Sequence, residues 1–446
     1  MVPFGGTFGN HLLRLCARHP ANGQFEVIDA FHTHRAIKVM VPFRTMSKRS
    51  AVLLGLTSVL VLLVSSTDSQ GQRRDRVLSA RPTISALPQV MRAPAENPLT
   101  PDKIALGKLL FWDPILSGNR DVACVTCHHP RDGYAEDRDL SIGVNGVGLG
   151  RNRRFQSPNS IPFVKRNSQT MVNIGFNGIG QTGEYSPADA PMFWDVRVKS
   201  LETQALEPIK SFEEMRGDAY PEEKALETVV ARLNAIPEYR ALFGKAFGGE
   251  NTVNATNLGK AIASFGRSLV SNNSPFDRYM RGERDALTPA QLEGMERFER
   301  VGCTECHNGP MFSDYKVHVL GVPDNRTLPQ TDRGMADMPH AFRTASFEGT
   351  PYAFRTASLR NLRYTAPYMH NGRFSTLGGV LEFYDDLPEN PNVRRRDVDP
   401  LARRLNDPDD AADAIIAFLG ALNDDSFDKS IPSRVPSGLN VGGRIQ

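Results

Sequence analysis

Apolar positions recur at helical spacing in several stretches of the chain, and no stretch reads as strand-rich or as a Gly-rich nucleotide-binding turn. Leu258, Ile262, Phe265 and Leu269 share one helical face, as a period near 3.6 requires. Leu292, Met295 and Phe298 do the same after Thr288-Pro289, and Thr100-Pro101 opens a similar stretch. A threonine followed by proline is a helix start, because the hydroxyl caps a free N–H and proline suits the first position. Gly107 and Gly294 are each followed four residues later by phenylalanine, Phe111 and Phe298. Two helices of one design are therefore predicted, one in each half of the chain. A further capped helix is predicted over 375–385, with Leu377, Val380, Leu381 and Tyr384 on one face. The fold class predicted is all-α.

The first 72 residues break this pattern. Lys48 and Arg49 precede a 14-residue uncharged run, Ala51 to Val64, followed by polar SSTDSQGQ. A basic start, an apolar stretch and a small-residue exit form the layout of a secretory signal. The run is shorter than the roughly 20 residues of a bilayer span, so residues 46–72 read as a signal peptide, with an uncleaved anchor as the alternative. Met46 stands at the head of this basic region, so residues 1–45 read as a start-site artefact. Export to the periplasm follows from this reading, with membrane attachment only if the signal stays uncleaved. Residues 429–446 hold Ser, Pro and Gly with little apolar content and predict a flexible tail.

Composition adds one exclusion. The chain of 446 residues has 53 basic and 50 acidic side chains, and beyond residue 72 the balance is 46 to 47. A nucleic-acid binder concentrates basic charge, so none is expected as a partner.

Chemistry enters with the cysteines. Apart from Cys16, all lie in Cys124-Val-Thr-Cys127-His128 and Cys303-Thr-Glu-Cys306-His307. C-x-x-C-H is the c-type haem attachment pattern: two thiols bond the haem vinyls and the adjacent imidazole binds iron. Zinc needs closely organised Cys and His sets, and a redox dithiol needs no trailing histidine. His129, beside His128, reads as a surface or propionate-side residue rather than a ligand. A predicted helix leads into each motif, as in a small cytochrome c. The chain therefore reads as two cytochrome c-like haem domains, 95–280 and 281–428, joined by the linker SNNSPFDRYMRGE. AFRTAS occurs twice, at 341–346 and 353–358; the first copy reads as a loop duplication without an assigned role.

The two motifs, 179 residues apart, are separated by FWDVRVKSLETQALEPIKSFEEM, and SLRNLRYTAPYMHNGRFSTL follows the second. This arrangement resembles the bacterial dihaem cytochrome c peroxidase and MauG family over roughly residues 95–425. The resemblance implies an exported enzyme with two c-type haems, a peroxide-reactive N-terminal haem and a C-terminal haem that handles electrons. It also implies one calcium ion, held by Asn173 and the carbonyls of Thr365 and Pro367. Trp194 matches the family's tryptophan between the haems. Gln204, Pro208 and Glu214 match the pocket above the N-terminal haem, with Glu214 as the catalytic glutamate. His370 matches a histidine near the C-terminal haem that is not its axial ligand. The implied partners are hydrogen peroxide and an electron donor or protein substrate: a small cytochrome, a cupredoxin or a maturing protein.

Two departures select a branch. No histidine lies between Pro130 and Trp194, where many of these peroxidases carry a distal ligand, so the N-terminal iron is expected to be open at rest. Met171 and Met192 read as core. At the C-terminal haem, Tyr384 stands where the peroxidases have a ligating methionine. It is expected to ligate the iron in place of its competitor Met369, as in the MauG branch. Thioether ligation raises a haem potential, whereas an anionic phenolate stabilises ferric and higher states.

Overall fold

A computed structural model describes residues 83–337 and 350–446. The expectations for residues 1–45 and 46–72, and the first AFRTAS copy at 341–346, lie outside the described residues. No helix among the described residues is long and apolar enough to cross a membrane.

Among the described residues, ten α-helices carry the architecture. In the N-terminal half these are α1 (Pro101–Trp112), α2 (Leu201–Gln204), α3 (Glu207–Lys210), α4 (Ala225–Ala235), α5 (Pro237–Phe247) and α6 (Ala255–Ser268). The C-terminal half has α7 (Pro275–Met280), α8 (Pro289–Val301), α9 (Leu377–Asp385) and α10 (Ala412–Gly420). The two predicted starts are both capped: Thr100 accepts from Lys103 N and Thr288 from Gln291 N.

The sequence repeat is a repeat of packing. α1 crosses α6 so closely that a Cβ on Gly107 would stand 2.0 Å from the Ala261 carbonyl oxygen. α8 crosses α10 the same way, with a Cβ on Gly294 falling 1.9 Å from that of Ala414. One turn on, Phe111 meets Phe265 at 5.2 Å between ring centroids, and Phe298 meets Phe418 at 5.5 Å. Each half thus builds its core on one glycine-allowed helix crossing, sealed by a phenylalanine pair.

One expectation is corrected. The chain is helix-rich but not purely α. Three short antiparallel ribbons pair β1 (Gly146–Val147) with β2 (Arg154–Phe155), β3 (Pro191–Met192) with β4 (Val198–Lys199), and β5 (Val317–Val319) with β6 (Ala353–Arg355). Runs of two or three residues are too short to show an alternating pattern.

The segment read as the linker packs against the C-terminal core. Phe276 packs on Phe312 and Phe418 in the C-terminal core, and the fully buried Asp277 pairs with both Arg360 Nη atoms at 2.9 and 3.0 Å. Of the polar linker residues, Ser271, Ser274 and Asp277 are buried, and each is paired. Ser274 caps α7, and chain from the other end joins them: Leu87 N donates to Asp277 Oδ1 at 2.9 Å.

The tail does not hang free. Val435 is buried in the cluster of Phe111 and Trp112, and Ser437 Oγ donates to Asp113 Oδ1 at 2.7 Å. Gly442 N and Arg444 N reach the carbonyls of Trp112 and Asp121 at 2.8 and 2.9 Å. Its few apolar residues suffice because backbone hydrogen bonds hold the rest. Ile84 thus joins the C-terminal core, while the tail packs on the N-terminal half.

Candidate active site

Both Cys-x-x-Cys-His segments coil into a single 3₁₀ turn, with the backbone N–H of His128 on Cys124 O (3.1 Å) and that of His307 on Cys303 O (2.9 Å). His128 Nδ1 lies 3.0 Å from Tyr134 O and His307 Nδ1 lies 2.9 Å from Phe312 O. A carbonyl only accepts, so both Nδ1 atoms carry the proton, and each Nε2 keeps its lone pair for a metal. Burial lowers the pKa of both rings, which keeps them neutral, as a ligand must be. The four cysteines are unbridged, and burial pushes the Cys124 and Cys303 thiols up to about 12. Among the described residues the one convergent trio of His, Cys, Asp or Glu donors is Cys306, Asp314 and His318. It omits Cys303 and His307, so it does not make the motif a zinc site. His129 packs edge-on against Trp112 at 5.9 Å and its Nδ1 accepts from Arg131 N.

A cavity of about 630 Å³ reaches both motifs and is bordered by Trp194, Gln204, Pro208, Glu214, His370 and Tyr384. Gln204 ends α2, which Ser200 caps, and Pro208 lies in the first turn of α3. Glu214 sits on one π-helical turn, Phe212–Arg216, a geometry that recurs at functional sites. The turn is fixed from outside: Val144 N donates to Glu214 O (3.1 Å) and Gly118 N to Met215 O (2.7 Å). Burial, with Glu213 and Glu207 adding to it against the pull of Arg197, pushes the Glu214 carboxyl up to about 7. A carboxyl poised there takes and returns a proton near neutrality. Met171 and Met192 are buried in apolar clusters, as expected, and both also border the cavity.

Between the halves, Trp194 Nε1 donates to Asn167 O at 3.0 Å, and its ring meets that of His370 edge-on at 6.5 Å. Phe354, from the second AFRTAS copy, lies flat on His370 with centroids 3.6 Å apart. Burial lowers the His370 pKa to about 3, so the ring is neutral. Arg166 holds Asp195 at 2.5 Å and Asp332 at 2.6 Å, and Arg197 holds Asp195 at 2.9 Å. Sequence reasoning missed Arg166, Asp332 and Phe354. Asp195 and Arg197 stood in the quoted FWDVR segment without a role.

On the opposite wall, α9 is capped by Thr376, not Ser375. Its predicted face, Leu377, Val380, Leu381 and Tyr384, borders the cavity throughout. Burial first, then nearby Cys306 and Cys303, raise the pKa of the Tyr384 phenol. Met369 borders the same cavity.

Comparison with known proteins decides the family. A family model described as di-haem cytochrome c peroxidase matches residues 101–285. "Methylamine utilization protein MauG" of Methylorubrum extorquens is 33% identical over 67% of this chain and 72% of its own length. "Cytochrome-c peroxidase IdrP1" of Pseudomonas sp. (strain SCT) is 34% identical over 77% and 86%. The chain belongs to the dihaem cytochrome c peroxidase/MauG family. A crystal structure of a MauG-like protein associated with microbial copper homeostasis superposes with a TM-score of 0.60 at 26% identity, covering 76% of this chain and 95% of that one. As a family member this protein is a dihaem peroxidase-type oxidoreductase with two c-type haems, and its buried thiols and neutral histidines suit that cofactor.

In this dihaem peroxidase the three residues matched to calcium ligands differ in their occupation. Asn173 is buried, its Oδ1 accepting from Ser271 N at 2.8 Å and its Nδ2 donating to Ser271 O at 2.7 Å. The carbonyls of Thr365 and Pro367 border the cavity segment and accept no hydrogen bond among the described residues.

Proposed function

We propose that this protein is a periplasmic, MauG-like dihaem enzyme that reacts with hydrogen peroxide at an open N-terminal haem and oxidises an external donor, a redox protein or a maturing protein substrate. The observation that carries this reading is Tyr384, whose helix face (Leu377, Val380, Leu381, Tyr384) borders the cavity that reaches both Cys-x-x-Cys-His motifs. Burial raises the pKa of this phenol, so it would lose its proton only in exchange for a cation such as ferric iron beside the second motif. Cys124 and Cys127 would bond one haem and Cys303 and Cys306 the other, with His128 on the first iron and His307 and Tyr384 on the second. When bound, the haems supply the peroxide site and take up its oxidising equivalents.

The chain's own residues supply proton handling and positioning. Peroxide must lose a proton from one oxygen while the leaving oxygen gains one, and Glu214, with its pKa near 7, holds it in between. Gln204 and Pro208 shape the pocket beside it. Trp194 gives electrons a path between the halves, with the neutral His370 packed at its edge.

The carbonyls of Thr365 and Pro367 and Asn173 Oδ1 would offer hard oxygens to one calcium ion, a reading that rests on the family resemblance. Lys48, Arg49 and the apolar run that follows support export. Met369, in the same cavity, favours a second reading, an ordinary peroxidase fed by a small cytochrome. EPR of the oxidised holoprotein, followed by spectra after one equivalent of peroxide, separates the two. The MauG-like reading expects one high-spin and one low-spin haem and reaction without prior reduction. A His/Met haem that reacts only after partial reduction supports the peroxidase.

A further inference from the structure

Arg355 is 5% exposed and borders the cavity. It is the central residue of the second AFRTAS copy's contact with Trp194. Its main-chain N–H donates to Trp194 O at 2.7 Å, and its Nε donates to Phe193 O at 3.0 Å. The outer nitrogens are held loosely, Nη1 by Thr356 O at 3.4 Å and Nη2 by Gln169 Oε1 at 3.3 Å. Every one of these acceptors is neutral. The Tyr315 ring lies below the guanidinium at 5.4 Å, and burial lowers the pKa of the group.

The other guanidiniums that border the cavity each have a carboxylate. Arg166 has Asp195 and Asp332, Arg197 has Asp195, and Arg360 has Asp277. Arg355 makes no ion pair among the described residues. Around Trp194, three guanidiniums (Arg166, Arg197, Arg355) therefore face two carboxylates (Asp195, Asp332), and His370 is neutral. A buried charge without a counter-ion is costly, and one negative charge would balance the group.

The backbone extends the position to both haem motifs. Gln169 follows Ser168, whose hydroxyl donates to Cys127 O at 2.8 Å and lies 3.2 Å from His128 Nδ1, and the carbonyl of Thr356, next to Arg355, accepts from Ser313 Oγ at 2.7 Å, one residue after Phe312, whose carbonyl holds His307 Nδ1. We propose that Arg355 binds a haem carboxylate, a propionate of one of the two cofactors, and so fixes the cofactor to the segment that carries Trp194. Arg355 is a positioning residue in this role. The guanidinium's fork geometry suits a carboxylate, which two outer nitrogens with long, weak bonds are free to take.

This rests on two haems occupying the cavity, so each variant is first assayed for two haems per chain; a wild-type value below two fails that reading, not this one. The test compares wild type, R355K and R355Q as matured holoproteins in spectroelectrochemical titrations across pH. A buried cation favours the reduced haem, so R355Q should lower one midpoint potential. The freed propionate should then titrate, giving that potential a pH dependence near neutrality that wild type lacks, with the largest drop at high pH. R355K should restore most of the potential by keeping the charge. Potentials and pH profiles unchanged in R355Q would overturn the proposal, as would equal shifts in both variants, which would mark a purely structural role. If R355Q fails to mature, resonance Raman decides: a propionate-bending band that moves between wild type and R355K supports the contact, and an unmoved band rejects it.

Discussion

Glu214 rests on Gly143: a Cβ at Gly143 would stand 2.2 Å from the Glu214 carbonyl oxygen and 2.1 Å from that of Glu213. The contact is with backbone, which cannot swing aside as a side chain can. Gly143→Ala must therefore push the π-helical turn and carry the Glu214 carboxyl with it. A misplacement near 1 Å at a reacting group costs up to about 10²-fold in rate. Stopped-flow haem spectra should show peroxide reacting more slowly by about that factor, with two haems still attached. A wild-type rate in a fully loaded Gly143→Ala protein would show that the turn's position does not matter.

The pH dependence tests Glu214 itself. Its carboxyl accepts a proton only when ionised, and burial has raised its pKa to about 7. The rate of reaction with peroxide should therefore fall as pH drops through about 7 and level off above it. Glu214→Gln keeps the size and removes the titration. It should lower the rate by roughly 10²–10⁴-fold, the scale of a lost acid–base group, and abolish the inflection. An inflection that persists in the Gln variant assigns the proton to another group.

What the sequence discloses depends on how local the cause is. Thr100, Thr288, Gly107 and Gly294 act within a helix or at one crossing, so their spacing shows them twice. Tyr384 was singled out by resemblance, as the residue at the family's methionine position, and helical periodicity only placed it on one face with Leu377, Val380 and Leu381. The pocket residues Gln204, Pro208 and Glu214 were found by resemblance; their types alone would mark an ordinary polar stretch. Asp277 looked like linker because its partner Arg360 lies 83 residues away. The tail looked loose for the same reason, since Ser437 answers to Asp113 across 324 residues. Arg355 carried no local signal, because its meaning comes from charges gathered around Trp194 from distant segments.

The tail makes a domain-specific prediction. Deleting 429–446 removes buried Val435, the Ser437–Asp113 hydrogen bond and the backbone bonds to Trp112 and Asp121. It also takes away the Arg444 carbonyl that accepts from Arg153 Nη1. Burial of one valine with a few hydrogen bonds amounts to on the order of a few kcal/mol. Asp121 and Val122 lead directly into Cys124, so the loss should fall on the N-terminal haem domain. Hydrogen exchange should quicken around residues 113–125 and stay unchanged around 303–312. Equal acceleration at both places would mean that the tail stabilises the molecule as a whole.

Tyr384 separates the two functional readings. If its phenolate holds the C-terminal iron, Tyr384→Phe keeps the ring among Phe383, Phe374 and Met369 while removing the oxygen. The low-spin EPR signal assigned to a His/Tyr haem should then vanish, while the high-spin N-terminal signal stays. Peroxide should still react, since Glu214 and its pocket are untouched, but the oxidised product should decay faster without an anionic ligand to stabilise it. Tyr384→Met supplies a thioether, which raises a haem potential, and should move the C-terminal haem towards accepting electrons from a small cytochrome. Met369 provides the control, because it borders the same cavity. Met369→Leu should leave the low-spin signal unchanged if Tyr384 is the ligand. Loss of that signal in Met369→Leu, with Tyr384→Phe silent, would transfer the ligand to Met369 and make the ordinary peroxidase the better reading.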